Sequence, residues 1–149
     1  MNSQSNIIFT PLLDEMLQQG KSVQISLGGL SMFPFLMHGD IVQISPIEIK
    51  KLKCGDIVVF KEDNNWIAHR LIKKNIHNNL FHTRGDGAKN MDKPIKQEQI
   101  KGIVVKIVKS RWKFAYCSIG KHTKFLAFFS PFVAPVFNAI MSLLIFLRK

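Results

Sequence analysis

Ser31 stands in the segment Gly28-Gly29-Leu30-Ser31-Met32-Phe33-Pro34-Phe35-Leu36-Met37-His38-Gly39-Asp40. A glycine pair precedes it, a proline follows, and its other neighbours are apolar. A hydroxyl whose backbone is shaped on both sides, without polar company, is placed as a nucleophile is placed. The same composition also describes a glycine-rich turn between two strands that carries an incidental serine. A serine nucleophile needs a base, and the base needs an orienting group. The histidines and lysines supply the candidates. His69, in Trp66-Ile67-Ala68-His69-Arg70-Leu71-Ile72, shares a face with Ile67 and Leu71 if that stretch is a strand. His38 falls in a turn beside Gly39-Asp40, and His77, His82 and His122 have less pointed surroundings. Two acids, Asp86 and Asp92, lie in the loop Thr83-Arg84-Gly85-Asp86-Gly87-Ala88-Lys89-Asn90-Met91-Asp92-Lys93-Pro94. Singly, a histidine on an apolar face reads as structural and a Gly- and Asp-rich loop as a solvated turn. Together, the loop can fold back and bring a carboxylate to a histidine on the strand before it.

The elements that would position these groups are short. Residues 7–19 have near-helical spacing (Ile7, Ile8, Leu12, Leu13, Met16, Leu17), with Thr10-Pro11 as cap and first turn, Asp14 and Glu15 near the start, and Gly20 at the end. This predicts an amphipathic helix within residues 1–20, too short and polar to span a bilayer and without a signal-peptide layout. After it come strand signals: Val23–Leu27 in alternation, then Ile41–Ile44, Ile57–Phe60, Trp66–Ile72, Leu80–Thr83 and Ile103–Val108. Turns rich in Gly, Asn and Asp separate them, which predicts an all-β, barrel-like domain over 21–120. From Phe125 to Leu147 no residue is charged; Lys121 and Lys124 precede this run, and Arg148 and Lys149 close it. Length and flanks predict a membrane segment over 121–149, a helix or, given Pro131 and Pro135, a hairpin.

Composition narrows the function classes. With 149 residues the chain suits one domain with a real core. Hydrophobic residues make up 46% and charged residues 21%, which excludes a disordered chain and a multi-span membrane protein. The formal charge of +11 fits contact with an anionic surface, and without a nucleic-acid-binding motif that surface is expected to be lipid, not nucleic acid. Cys54 and Cys117 match no metal or redox spacing, and the five histidines form no ligand pair, so neither metal nor cofactor is expected.

In chain order, Ser31, His69 and the Asp86/Asp92 loop fall in four boxes: Gly29-Leu30-Ser31-Met32-Phe33-Pro34 with Gly39-Asp40-Ile41-Val42; Gly55-Asp56-Ile57-Val58-Val59-Phe60; Ala68-His69-Arg70-Leu71-Ile72; and Thr83-Arg84-Gly85-Asp86 with Asp92. In this order and spacing, over roughly residues 25–108, the chain resembles the type I signal peptidases, and His69 at the base position resembles the endoplasmic-reticulum and archaeal branch. The resemblance implies a mainly β fold of the complex barrel type shared by signal peptidases and repressor proteases. It implies Ser31 as nucleophile, His69 as general base, Asp92 as its orienting acid and Asp86 as support for the loop or the histidine. Gly29, Met32 and Pro34 frame the serine and are the expected substrate-contacting positions. The substrate would be a signal or leader peptide in a precursor protein, with small residues before the cleaved bond. Gly29 stands where the family often carries a serine that helps bind the oxyanion, and Gly87-Ala88 where this branch usually has two asparagines. A family member also typically begins with a membrane anchor, whereas the anchor expected here is C-terminal. Two other readings share the fold: a self-cleaving repressor-type peptidase, which would want a DNA-binding helix pair and a lysine base, and a non-catalytic membrane scaffold, which would need none of Ser31, His69 and Asp92.

Overall fold

The computed structural model describes residues 4–63 and 65–110, with isolated positions at 119, 136 and 139. Helix α1 (Gln4–Gln18) comes first, followed by strands β1 (Val23–Ser26), β2 (Ile41–Ser45), β3 (Ile57–Glu62), β4 (Asn65–Asn75), β5 (Leu80–Arg84), β6 (Ile95–Lys96) and β7 (Ile100–Lys109). All seven strands form one antiparallel sheet in the order β1-β2-β7-β3-β4-β5-β6. The chain is mainly β, as expected.

The expected barrel is not formed. Closure requires the first and last strands to pair at a fixed stagger. Here β1, of four residues, and β6, of two, stand at opposite ends of the order and do not pair. Helix α1 and the loop between β1 and β2 instead help cover one face. There, Leu17 from the helix and Leu27, Met32 and Leu36 from the loop region join Val42, Ile44, Ile57, Val59, Val104 and Ile107. The opposite face buries Leu52, Val58, Phe60, Leu71, Phe81 and Ile95. Strand β3 feeds both layers, with Ile57 and Val59 on one side and Val58 and Phe60 on the other, each at most 2% exposed. An unbroken apolar run is what a doubly covered strand requires. Each such side chain contributes roughly 1.5–3 kcal/mol by leaving water.

The helix differs from expectation at its start. It begins at Gln4 and runs through Pro11, so Thr10-Pro11 is neither cap nor first turn. Asp14 and Glu15 therefore fall in its second half, away from the positive end of the dipole; Asp14 instead faces Lys101 of β7 at 3.3 Å. Its end is as read. Gly20 (φ +78°) lets Gly20 N–H donate to Leu17 O and Lys21 N–H to Met16 O, both at 3.0 Å, closing the last turn. The expected membrane segment over 121–149, with Cys117 and His122, lies outside the described residues apart from the isolated positions. Among the described residues no helix is long and apolar enough to cross a membrane.

Candidate functional site

Ser31 is presented by the loop between β1 and β2. The neck of this loop is a two-way clasp: Leu27 N–H donates to Asp40 O (2.8 Å) and Gly39 N–H to Leu27 O (2.9 Å). The buried Asp40 carboxylate accepts the Met37 N–H at 2.9 Å. Within the loop, Phe33 N–H bonds to Leu30 O and Leu36 N–H to Met32 O, each at 3.0 Å. Met32 and Leu36 are driven into the core, so the short coil between them is anchored from beneath while Ser31 stays exposed. Gly29 has φ +76°, a conformation that L side chains resist, which is why a serine hydroxyl is not simply interchangeable with glycine at this position.

Ser31 and His69 line the same cleft, of about 350 Å³, which runs between β1 with its following loop and the start of β4. Its walls are largely apolar, with Ile25, Leu27, Leu36, Val59, Trp66 and Ala68 among them. Of the expected substrate-contacting positions, Gly29 and Met32 line the cleft. Pro34 does not: it is buried beneath the loop, because the turn after Ser31 carries the chain inward. Among the described residues no hydrogen bond joins Ser31 Oγ to the His69 ring.

His69 lies on β4 opposite Val58 of β3, with its ring edge-on to Phe60 at a centroid distance of 6.2 Å. Its side chain is 14% exposed, and Nδ1 lies 2.7 Å from Asp92 Oδ2. A carboxylate oxygen accepts here, so Nδ1–H is the donor of this contact, and in the neutral ring Nε2 is then the acceptor. Asp92 reaches the ring because its loop folds back onto β5. Asp92 N–H donates to Thr83 O at 2.9 Å, and Thr83 Oγ1–H donates to Asp92 Oδ2 at 2.7 Å.

Asp86 has different company. It is fully buried and accepts two bonds from the equally buried Arg70, from Nε at 2.7 Å and Nη2 at 2.6 Å. Arg70 Nη1 also donates to Gly55 O at 2.8 Å. Paired, forked and capped by a carbonyl, this ion pair meets the conditions that a buried pair needs. Of the two acids, Asp92 meets the histidine, and Asp86 holds its neighbour Arg70. Nearby, burial lowers the pKa of the Arg84 guanidinium from its ordinary value, with Asp86 pulling it back up.

Four contributors escaped the sequence reading. Gly85 and Gly87 let their loop lie directly on the serine loop. A Cβ at Gly85 would stand 2.5 Å from Ser31 O, one at Gly87 3.0 Å from Phe33 O, and Gly87 N–H donates to Ser31 O at 2.9 Å. Gly55 supplies the carbonyl for Arg70, and Thr83 the hydroxyl for Asp92. The Gly85-Asp86-Gly87 triplet was visible in the sequence, but as a turn and not as a surface on which another loop rests. Among the described residues no cluster of His, Cys, Asp and Glu is arranged to hold a metal ion. Comparison with protein-family models, with characterised proteins and with solved structures finds no match to this chain.

Proposed function

We propose that this chain is a membrane-associated serine endopeptidase of the signal-peptidase type, which removes signal or leader peptides from precursor proteins by a Ser-His-Asp mechanism. The observation that carries this reading is the 2.7 Å bond from His69 Nδ1 to Asp92 at the rim of the cleft that Ser31 lines. It leaves Nε2 free to take the Ser31 proton, which is the one service a serine hydroxyl requires. The four sequence boxes in family order add to it.

In this mechanism the peptide lies extended in the cleft beside β1, whose outer edge is unpaired among the described residues and so has main-chain groups to offer. Ser31 Oγ attacks the scissile carbonyl as its proton passes to Nε2. The same proton then leaves with the amine as the C–N bond breaks, giving an acyl-enzyme. Water enters, loses a proton to Nε2 and attacks the ester, and Ser31 recovers its hydroxyl as the acid departs. Asp92 stabilises the imidazolium in both halves. The gap between Ser31 and the ring closes on substrate binding, as catalytic hydrogen bonds commonly tighten in the complex. Membrane association rests on the apolar run 125–147 and its basic flanks.

The test is cleavage of a membrane-inserted precursor peptide with alanine before the scissile bond. Ser31→Ala and His69→Ala should each lower turnover by at least about a thousandfold, while thermal unfolding stays cooperative. Undiminished cleavage by either variant would remove the proposal.

A further inference from the structure

We propose that Thr83 is a positioning residue of this site, whose hydroxyl holds Asp92 Oδ2 where that oxygen accepts the His69 Nδ1 proton. The role rests on the peptidase reading above, but the contact is observable without it. One oxygen, Asp92 Oδ2, takes both bonds: from Thr83 Oγ1 at 2.7 Å and from His69 Nδ1 at 2.7 Å. The carboxylate is 28% exposed and sits on an irregular loop, so on its own it would share its oxygens with water and sample other rotamers. Thr83 is 0% exposed and belongs to a strand. It grips Asp92 at two points, accepting the Asp92 N–H on its carbonyl and donating its hydroxyl to the carboxylate.

Thr83 is also tied to the base. It opposes Leu71 of β4, two residues beyond His69, so acid and histidine are referenced to one strand pair. A threonine limits its own hydroxyl to few rotamers, which makes it a stiff donor. It does not line the cleft. Its removal should therefore act on the chemical step and not on substrate binding.

The experiment uses the full chain with Thr83→Val, which keeps the shape and removes the donor, Thr83→Ala, which removes the donor and leaves room to relax, and Thr83→Ser, which keeps the donor. Two readouts are taken: kcat and KM on an internally quenched peptide with alanine before the scissile bond, and the downfield proton resonance of His69 Nδ1–H. Both Val and Ala should lower kcat about tenfold at constant KM and shift or broaden the resonance; Ser should restore both. A resonance unmoved in Val and Ala would show that Thr83 only satisfies its own buried hydroxyl, and the proposal would fall. It would fall too if the loss appeared in KM alone, or if Thr83→Val and Asp92→Ala multiplied fully when combined, since a residue acting through Asp92 has nothing left to lose once Asp92 is gone. If Ser31→Ala leaves cleavage intact, the peptidase reading fails by itself, and the resonance still decides what Thr83 does.

Discussion

Gly85 is the residue at which site and fold meet most closely. A methyl group there would point into the Ser31 carbonyl at 2.5 Å, and the obstacle is backbone, which cannot rotate away as a side chain tip can. Gly85→Ala should therefore cost of order 2–3 kcal/mol, read as a lower urea midpoint, and should lower cleavage further than stability alone explains by pushing Ser31 out of place. Gly87→Ala meets its nearest atom at 3.0 Å and should be milder on both measures. At this scale the sequence was informative about what residues are and silent about what they touch. Ser31, His69 and Asp92 were candidates by type, and it was their chain order and spacing in the four boxes that set them apart from the other serines, histidines and acids. The residues alone left Asp86 and Asp92 level as the histidine's partner; the resemblance assigned Asp92, and that is the acid that meets the ring. Thr83 and Gly85 were beyond reach because their importance lies wholly in contacts with residues far along the chain.

The elements repeat this contrast. The run Ile57–Phe60 could be read as a buried strand because burial on both faces imposes an apolar residue at every position. The hairpin from β3 to β4 was equally plain from its turn residues: Asp63 takes φ 53°, and Glu62 opposes Asn65. Strand β6 was missed because two residues carry no periodicity. The start of α1 was misplaced because a proline is a good first-turn residue, and local preference says nothing of a helix continuing through it. Gly102 of β7 offers a test of how the sheet is held. Its strand lies between β2 and β3, and a Cβ there would meet Ser45 O at 2.6 Å and the Ile44 side chain at 2.9 Å. Gly102→Ala should part β2 from β7 and cost of order 2 kcal/mol. Hydrogen exchange should show the loss at β1 and β2 first, because those two strands reach the rest of the sheet only through β7.

For the whole molecule, the proposed membrane attachment has the charge of +11 and the apolar run 125–147 acting together. A chain ending at Lys124 should no longer pellet with neutral vesicles. With vesicles rich in anionic lipid it should keep a weaker attachment that is lost as salt rises, since attraction between exposed charges is screened over about 8 Å at physiological ionic strength. Retention of the shortened chain on neutral vesicles would move the anchor elsewhere. The openness of the sheet was not legible in advance, because strand signals give number and alternation but not whether the two ends meet. It separates the site's parts in the strand order: the serine loop hangs between β1 and β2, and the histidine lies on β4 beyond β7 and β3. Yet the single stretch from Gly85 to Asp92 touches every part, through Gly87 on the Ser31 carbonyl, Asp86 on Arg70 beside the histidine and Asp92 on His69 itself. That stretch is a common datum for Ser31, His69 and Asp92. A small rigid displacement of it carries all three the same way and leaves their mutual alignment largely unchanged, whereas a residue inserted between Gly87 and Asp92 would put them in conflict. The length of this one loop is therefore the dimension on which the relative placement of the serine loop and His69 depends.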